Sequence, residues 1–161
     1  MHKTYSSGLQ IKKGKLDDVN NIAYLAHEYD LYEHSLDKRV DVTSIKDYKK
    51  DIAKEIKKRR WKFLILSIKK TTIGFIDYKI TKEGKTKVGI IGHIFLSSKY
   101  RKKGLGRLLT KRVLGDMQKQ GCKIVRSGVY AKNKRAHRFW QKEGFKIDFN
   151  PTTYKIEMKL H

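Results

Sequence analysis

The sequence predicts an α/β fold in which a mixed, mostly antiparallel sheet is flanked by helices. Apolar residues recur at helical spacing in four segments, and strand-like apolar runs lie between them. Three of these runs follow one another through short polar turns, which antiparallel neighbours allow and parallel neighbours do not. The regular β-α alternation of a doubly wound sheet is missing, so the order β-α-α-β-β-β-α-β-α-β-β favours a layered sandwich.

"GLQIKKG" reads as the first strand. The next segment carries Val19, Ile22, Ala23, Ala26 and Tyr29 on one helical face, with Asp17 as its N-cap and Asp18 suited to the positive end of the helix. A second helix starts near Ser44, buries Ile45, Tyr48, Ile52 and Ile56, and has Asp47 at the capping-box offset. "WKFLILSI", "TTIGFIDYKI" and "VGIIGHIFLS" are three strands joined at "KKTT" and "TKEGKT". From about Gly104 a third helix presents Leu105, Leu108, Leu109, Val113 and Met117. "GCKIVRSGVY" is a strand, and "NKRAHRFWQKEGF" is a short helix closed by Gly144. "FKIDFN" and "TYKIEMKL" pair around Asn150 and Pro151.

The 161 residues suit a single domain, 1–161, and 39% apolar content excludes a disordered tail. The formal charge is +23, unevenly spread: residues 1–60 hold 14 basic and 10 acidic side chains, residues 61–161 hold 25 and 6. Such a field attracts polyanions, acidic proteins, anionic membrane surfaces or phosphorylated small molecules, although a lysine-rich solvated surface gives the same count. Cys122 is the only cysteine, so no internal disulfide forms, and it reads as buried filler. The most apolar stretch, "WKFLILSI", is too short to span a bilayer, and the histidines lack metal-ligand spacing. The expectation is a cytoplasmic protein with no membrane partner and no metal.

"YRKKGLG" stands at the mouth of the third helix. Free N–H groups at a helix start carry partial positive charge, and Gly104 and Gly106 let a ligand approach the backbone. Arg101, Lys102, Lys103 and Arg107 add full charges, which suits a pyrophosphate. The spacing is neither a dinucleotide fingerprint nor a P-loop.

"FLSSKYRKKGLGRLL" resembles the acetyl-CoA-binding segment of the Gcn5-related N-acetyltransferase (GNAT) family, with Arg101, Gly104 and Gly106 in its [Arg/Gln]-x-x-Gly-x-[Gly/Ala] signature. "NKRAHRFWQKEGF" resembles a second family feature through Asn133, Ala136, Phe139, Trp140, Gly144 and Phe145. The element order from about residue 9 to 160 matches as well. The resemblance implies a GNAT-like fold, acetyl-CoA as cofactor, and direct attack of a neutral amine on the thioester in a ternary complex. It implies that the strand over residues 92–97 splays from the one starting near Cys122 to admit the pantetheine arm. Backbone of Phe95 and Leu96 would meet pantetheine and thioester, with an N–H near Leu96 serving the oxyanion. N–H groups from Arg101 through Leu105 to Gly106 would hold the pyrophosphate, and Asn133 would bond the cofactor arm.

The chain departs from the family in two places. Trp140 stands where many members have a tyrosine that protonates the thiolate. Its indole cannot do this, so Trp140 is expected as a wall near the thiol, with Tyr130 and Tyr154 as substitutes. The strand before the glycine turn has no carboxylate, and Gly92 and His93 occupy the comparable positions. His93 is the candidate base, sharing a strand face with Phe95, and nearby lysines are expected to depress its pKa. Glu28 is a second catalytic candidate, and Tyr29, His34, Asp77 and Tyr78 are further acceptor-side groups. The acceptor is a primary amine: a protein N-terminus or lysine, a polyamine, an aminoglycoside or another small amine. A basic surface repels polyamines and cationic antibiotics unless the pocket is locally acidic, and an acidic protein segment or a nucleic-acid-associated protein fits the global field better. The alternative is a catalytically weak acyl-CoA-binding module, or one associated with nucleic acid.

Overall fold

The computed structural model describes residues 8–148 and 154–160. Its elements are β1 (Leu9–Lys13), α1 (Val19–Leu36), α2 (Ile45–Lys58), β2 (Lys62–Ile68), β3 (Thr71–Glu83), β4 (Thr86–Leu96), α3 (Leu105–Lys119), β5 (Ile124–Val129), α4 (Lys134–Lys142), β6 (Lys146–Asp148) and β7 (Tyr154–Lys159). They build a seven-stranded sheet in the order β1-β2-β3-β4-β5-β7-β6. Among the described residues, only β4 and β5 pair in parallel, because α3 carries the chain back between them. The expected mixed, mostly antiparallel α/β architecture is what the chain adopts.

The helices split between the two faces of the sheet. Ile22, Ala23, Leu25 and Ala26 of α1 and Ile52 of α2 pack on Phe63, Ile65, Phe75 and Phe95. Leu105, Leu109, Val113 and Met117 of α3 and Trp140 of α4 pack on Leu66, Ile76, Tyr78, Ile91 and Val125 on the other side. Burying so many apolar groups on both faces explains why the central strands read as near-continuous hydrophobic runs.

The caps account for most helix boundaries. Ser44 Oγ accepts from the Asp47 N–H at 3.1 Å and donates to the Asp47 carboxylate at 2.7 Å, which fixes the start of α2 as expected. Gly144, at φ +91°, stops α4 as expected. Two expectations are corrected. Asp17 does not cap α1: a 3₁₀ turn spans Leu16–Asp18, and the Asp18 carboxylate accepts from the Lys15 N–H at 2.9 Å. Leu108 is exposed rather than buried, because the α3 stripe is narrower than the run of leucines suggests. The expected turn at Asn150 and Pro151 lies outside the described residues.

Candidate active site

The β4–β5 ladder pairs Val88–Ile91 with Ile124–Ser127 and goes no further. From Gly92 onward β4 stays paired with β3 on one side and leaves its other edge open. The Ser97 N–H donates to Ile73 O on β3, so by strand alternation the polar backbone groups of Leu96 and Ile94 face the open edge. Phe95's own N–H and C=O turn towards β3, which corrects the expectation that its backbone meets the cofactor. The opening between residues 92–97 and β5 is the splay anticipated from the sequence.

A β-bulge lies at the point of divergence. Between Ile76↔Ile94 and Tyr78↔Ile91, two residues of β4, Gly92 and His93, oppose one residue of β3, Asp77. Strict alternation from Ile91 would direct His93 into the α3 face. The extra residue reverses the parity, so His93 and Phe95 turn together towards α1, where the Tyr29 ring meets both edge-on. Asp77 then grips the bulge: its Oδ1 accepts from the His93 N–H at 2.8 Å and its Oδ2 lies 2.8 Å from His93 Nδ1. Gly92 permits this approach, since a Cβ there would fall 2.2 Å from Asp77 Oδ1 and 2.9 Å from the Trp61 ring.

This pairing reverses the expected charge state of His93. Burial pulls the imidazole pKa down, but the charge and hydrogen bond of Asp77, with the charges of Asp30 and Glu33, outweigh it and push the pKa up to about 9. The lysines that were expected to depress it stand elsewhere. The side chain keeps 37% exposure, and it borders a cavity.

The cavity holds about 450 Å³, within the range of small-molecule sites. His93, Gly92, Gly128, Val129 and Tyr130 line it from the diverging strands, Tyr29, Asp30 and Glu33 from α1, and Arg39, Val40, Asp41 and Thr43 from the loop between α1 and α2. That loop is pinned: the Thr43 N–H donates to Asp30 Oδ2 at 2.9 Å, and Thr43 O and Val40 O each meet a histidine Nδ1 of α1, His27 and His34, at 2.8 Å. Glu33, only 2% exposed, has its carboxyl pKa raised by burial against the pull of hydrogen bonds from Asn133 and Tyr29. Glu28 is exposed on α1 and does not line the cavity. The carboxylates that do, Asp30, Glu33 and Asp41, were not among the residues singled out from the sequence.

The basic turn sits at the other end of the opening. Gly104 N-caps α3 with φ +77°, and the first α-helical bond is Leu108 N–H to Gly104 O at 3.0 Å. The N–H groups of Leu105, Gly106 and Arg107 thus have no intrahelical acceptor. A Cβ on Gly104 would meet nothing within 4 Å, so that approach is open. Lys102 and Arg107 are exposed, the latter 3.8 Å from Glu143, and Lys103 Nζ donates to Lys99 O. Arg101 is half-buried: its Nε donates to Leu96 O at 2.8 Å, and its guanidinium lies 5.0 Å over the Phe95 ring. Gly106 serves packing too, because a Cβ there would press on the Phe139 ring at 3.2 Å.

Asn133 and Trp140 lie deeper than expected. Asn133 Oδ1 accepts from the Ala136 N–H at 3.0 Å as the cap of α4, and its Nδ2 donates to Glu33 Oε1 at 2.9 Å. Trp140 is 3% exposed, edge-on to Phe139 and Phe145, and belongs to the α3-side core rather than to the cavity wall. Tyr130 borders the cavity, whereas the side chain of Tyr154 lies outside the described residues.

The model of the acetyltransferase (GNAT) family matches residues 25–145. The chain belongs to the GNAT acetyltransferase family. No curated protein matches it. Among solved structures, the PaiA N-acetyltransferase from Thermoplasma acidophilum in complex with coenzyme A superposes with a TM-score of 0.82 at 22% identity, covering 95% of this chain and 99% of that one. An acetyltransferase from Thermus thermophilus gives 0.78 at 19% identity, covering 99% and 100%. A chain of the NatC complex bound to Gag peptide and CoA gives 0.68 at 18% identity, covering 96% and 99%. At these identities the likeness speaks for the GNAT fold alone. Two of these structures hold coenzyme A.

Proposed function

We propose that this GNAT protein transfers an acetyl group from acetyl-CoA to a primary amine by direct attack in a ternary complex. The observation that carries this reading is the Asp77–His93 pair on the β4 bulge, which stands between an open strand edge and an amine-sized cavity. The N–H groups of Leu105, Gly106 and Arg107 would hold the pyrophosphate, with Arg101, Lys102 and Lys103 adding positive charge at the same turn. The backbone groups of Leu96 and Ile94 on the open edge would bond the pantetheine arm.

An amine attacks only when neutral, and alkylammonium ions titrate near pH 10.4 in the manner of lysine. With its Nδ1 hydrogen directed to Asp77, His93 offers Nε2 to the ammonium. A base with a pKa of about 9 is matched to that proton to within roughly 1.4 units. The neutral nitrogen adds to the thioester carbonyl carbon, and the Leu96 N–H meets the oxygen that becomes negative. The C–S bond then breaks, the electron pair leaves on sulfur, and the amide nitrogen loses its extra proton to solvent. Thiols ionise near pH 8.5, so the thiolate departs without an obligatory acid. Trp140 in the core is therefore no obstacle.

The test is thiol release from acetyl-CoA across a panel of amines, with cofactor affinity followed by calorimetry. His93→Ala is expected to lower turnover by about 10²–10⁴-fold with little change in acetyl-CoA affinity. Acetyl-CoA binding without thiol release for any amine would leave an acyl-CoA-binding module instead.

A further inference from the structure

Asp30 and Glu33 share an unusual pattern of hydrogen bonds. Both are more than nine-tenths buried, with exposures of 8% and 2%. Asp30 Oδ2 accepts from both the Thr43 N–H and the Tyr48 hydroxyl, each at 2.9 Å. Glu33 Oε1 accepts from both the Tyr29 hydroxyl at 2.8 Å and Asn133 Nδ2 at 2.9 Å. In each case one oxygen takes two protein donors, and among the described residues the other takes none. Yet no fully enclosed side-chain oxygen lacks a partner among the described residues. The free oxygens, Asp30 Oδ1 and Glu33 Oε2, must therefore reach open space, and the cavity is the space these residues line. Asp77 is different, since His93 engages both of its oxygens.

The charges around the cavity do not cancel. Its lining holds two cationic groups, and each has its own acid: Arg39 is bidentate to Asp37, and His93 is paired with Asp77. That leaves Asp30, Glu33 and the exposed Asp41 as carboxylates that enter no ion pair among the described residues. A +23 chain has thus built one pocket of opposite sign at the place where the amine must sit. One ammonium delivered to His93 uses none of these three acids after it has lost its proton. A second, permanently charged ammonium on the same molecule would satisfy them.

Resting on the acetyl-transfer reading, we propose that the acceptor is a small diamine or oligoamine, held by the free oxygens of Asp30 and Glu33 and by Asp41 while another amine of the same molecule faces His93. The pinned loop over residues 39–43 forms a fixed wall, and the cavity of about 450 Å³ suits a short flexible chain. Charge-assisted hydrogen bonds from an ammonium to buried carboxylates give such a site its selectivity over a neutral tail.

The experiment compares diaminobutane, butylamine and a lysine-containing neutral peptide on the intact protein saturated with CoA, by calorimetry, and with acetyl-CoA, by thiol release. Diaminobutane is expected to exceed butylamine in both affinity and kcat/KM by about tenfold or more. Glu33→Gln and Asp41→Asn should each pull that ratio towards one. Asp41 is exposed, so D41N tests the idea even if E33Q disturbs folding. Equal use of butylamine and diaminobutane, a ratio unchanged in both variants, or a peptide that outcompetes diaminobutane would overturn the inference. The two readings fail separately. Diamine binding that depends on Glu33 and Asp41 without turnover would sink acetyl transfer, whereas efficient turnover of butylamine and diaminobutane alike would sink only the diamine.

Discussion

Replacing Asp77 by asparagine tests whether the pair on the bulge sets the pH behaviour of the reaction. In the wild type the imidazole titrates at about 9, so at pH 7 imidazolium exceeds neutral imidazole about a hundredfold. Asparagine removes the charge that outweighs burial, and the burial that remains favours the neutral ring. The pKa of His93 is expected to fall by about two units or more, towards or below its ordinary 6.5. Asparagine also offers an N–H where Asp77 Oδ2 accepted, so Nδ1 becomes the acceptor and the proton moves to Nε2, the atom that must take it from the amine. Two effects then separate. The acidic limb of kcat against pH, measured at saturating amine, moves down, while the plateau drops by about 10²–10⁴-fold. NMR titration of the His93 ring reads the pKa directly and independently of turnover. Stability shifts in a defined direction as well. Because the folded pKa is raised, the pair stabilises the fold fully below pH 6.5, and that contribution disappears as pH rises through about 9. D77N should therefore lose Tm relative to wild type at pH 6 and approach it above pH 9. Superimposable titration curves and equal plateaus for D77N and wild type would refute the coupling.

Gly104→Val forces a branched residue to φ +77° and puts its Cβ into the open space before the helix, so acetyl-CoA affinity by calorimetry should fall about tenfold or more in a protein that still folds. Gly92→Ala places a methyl 2.2 Å from Asp77 Oδ1, and a lowered Tm together with loss of the acidic limb is expected. Trp140→Phe should keep turnover within about tenfold and leave cofactor affinity intact, because a general acid there would have been worth about 10²–10⁴-fold. Trp140→Ala should instead cost about 3–5 kcal/mol in denaturant unfolding, since it empties a core position beside Phe139 and Phe145.

The seven strands and four helices were legible because their signals are local. Ile45, Tyr48, Ile52 and Ile56 specify a stripe whatever lies opposite, and Ser44 with Asp47 specifies where that helix begins. The glycine turn was legible for the same reason: Gly104 needs positive φ, and the helix after it begins one residue later. Asp17 and Leu108 were misjudged where the local signal was shared between neighbours. Either aspartate satisfies a cap preference, yet Asp18, the residue that flanks α1, makes no side-chain cap bond to it: its carboxylate turns back to the Lys15 N–H and to Lys12 Nζ at 2.9 Å and closes the 3₁₀ turn instead.

The chemistry was less legible, because it depends on register. Nothing in "VGIIGHIFLS" says that His93 will face a carboxylate, and no acid lies in that strand. The acid comes from β3, and it reaches His93 only because the bulge puts two residues opposite Asp77. Gly92 carried a usable hint, since a glycine inside a strand marks a bulge or a close approach. The acids of α1 left a clearer trace. Ile22, Ala26, Tyr29 and Glu33 follow one another at helical spacing, with Asp30 beside them, so two carboxylates continue a stripe that begins with the core. Glu28 drew attention as an acid of the first helix, yet its angle on α1 leaves it exposed to solvent. An acid on the apolar stripe must find donors or face a cavity, because an unpaired buried charge is too costly to retain. Asp30 and Glu33 do both, and so the functional face of α1 is marked by its departure from the hydrophobic pattern that builds the rest of the helix.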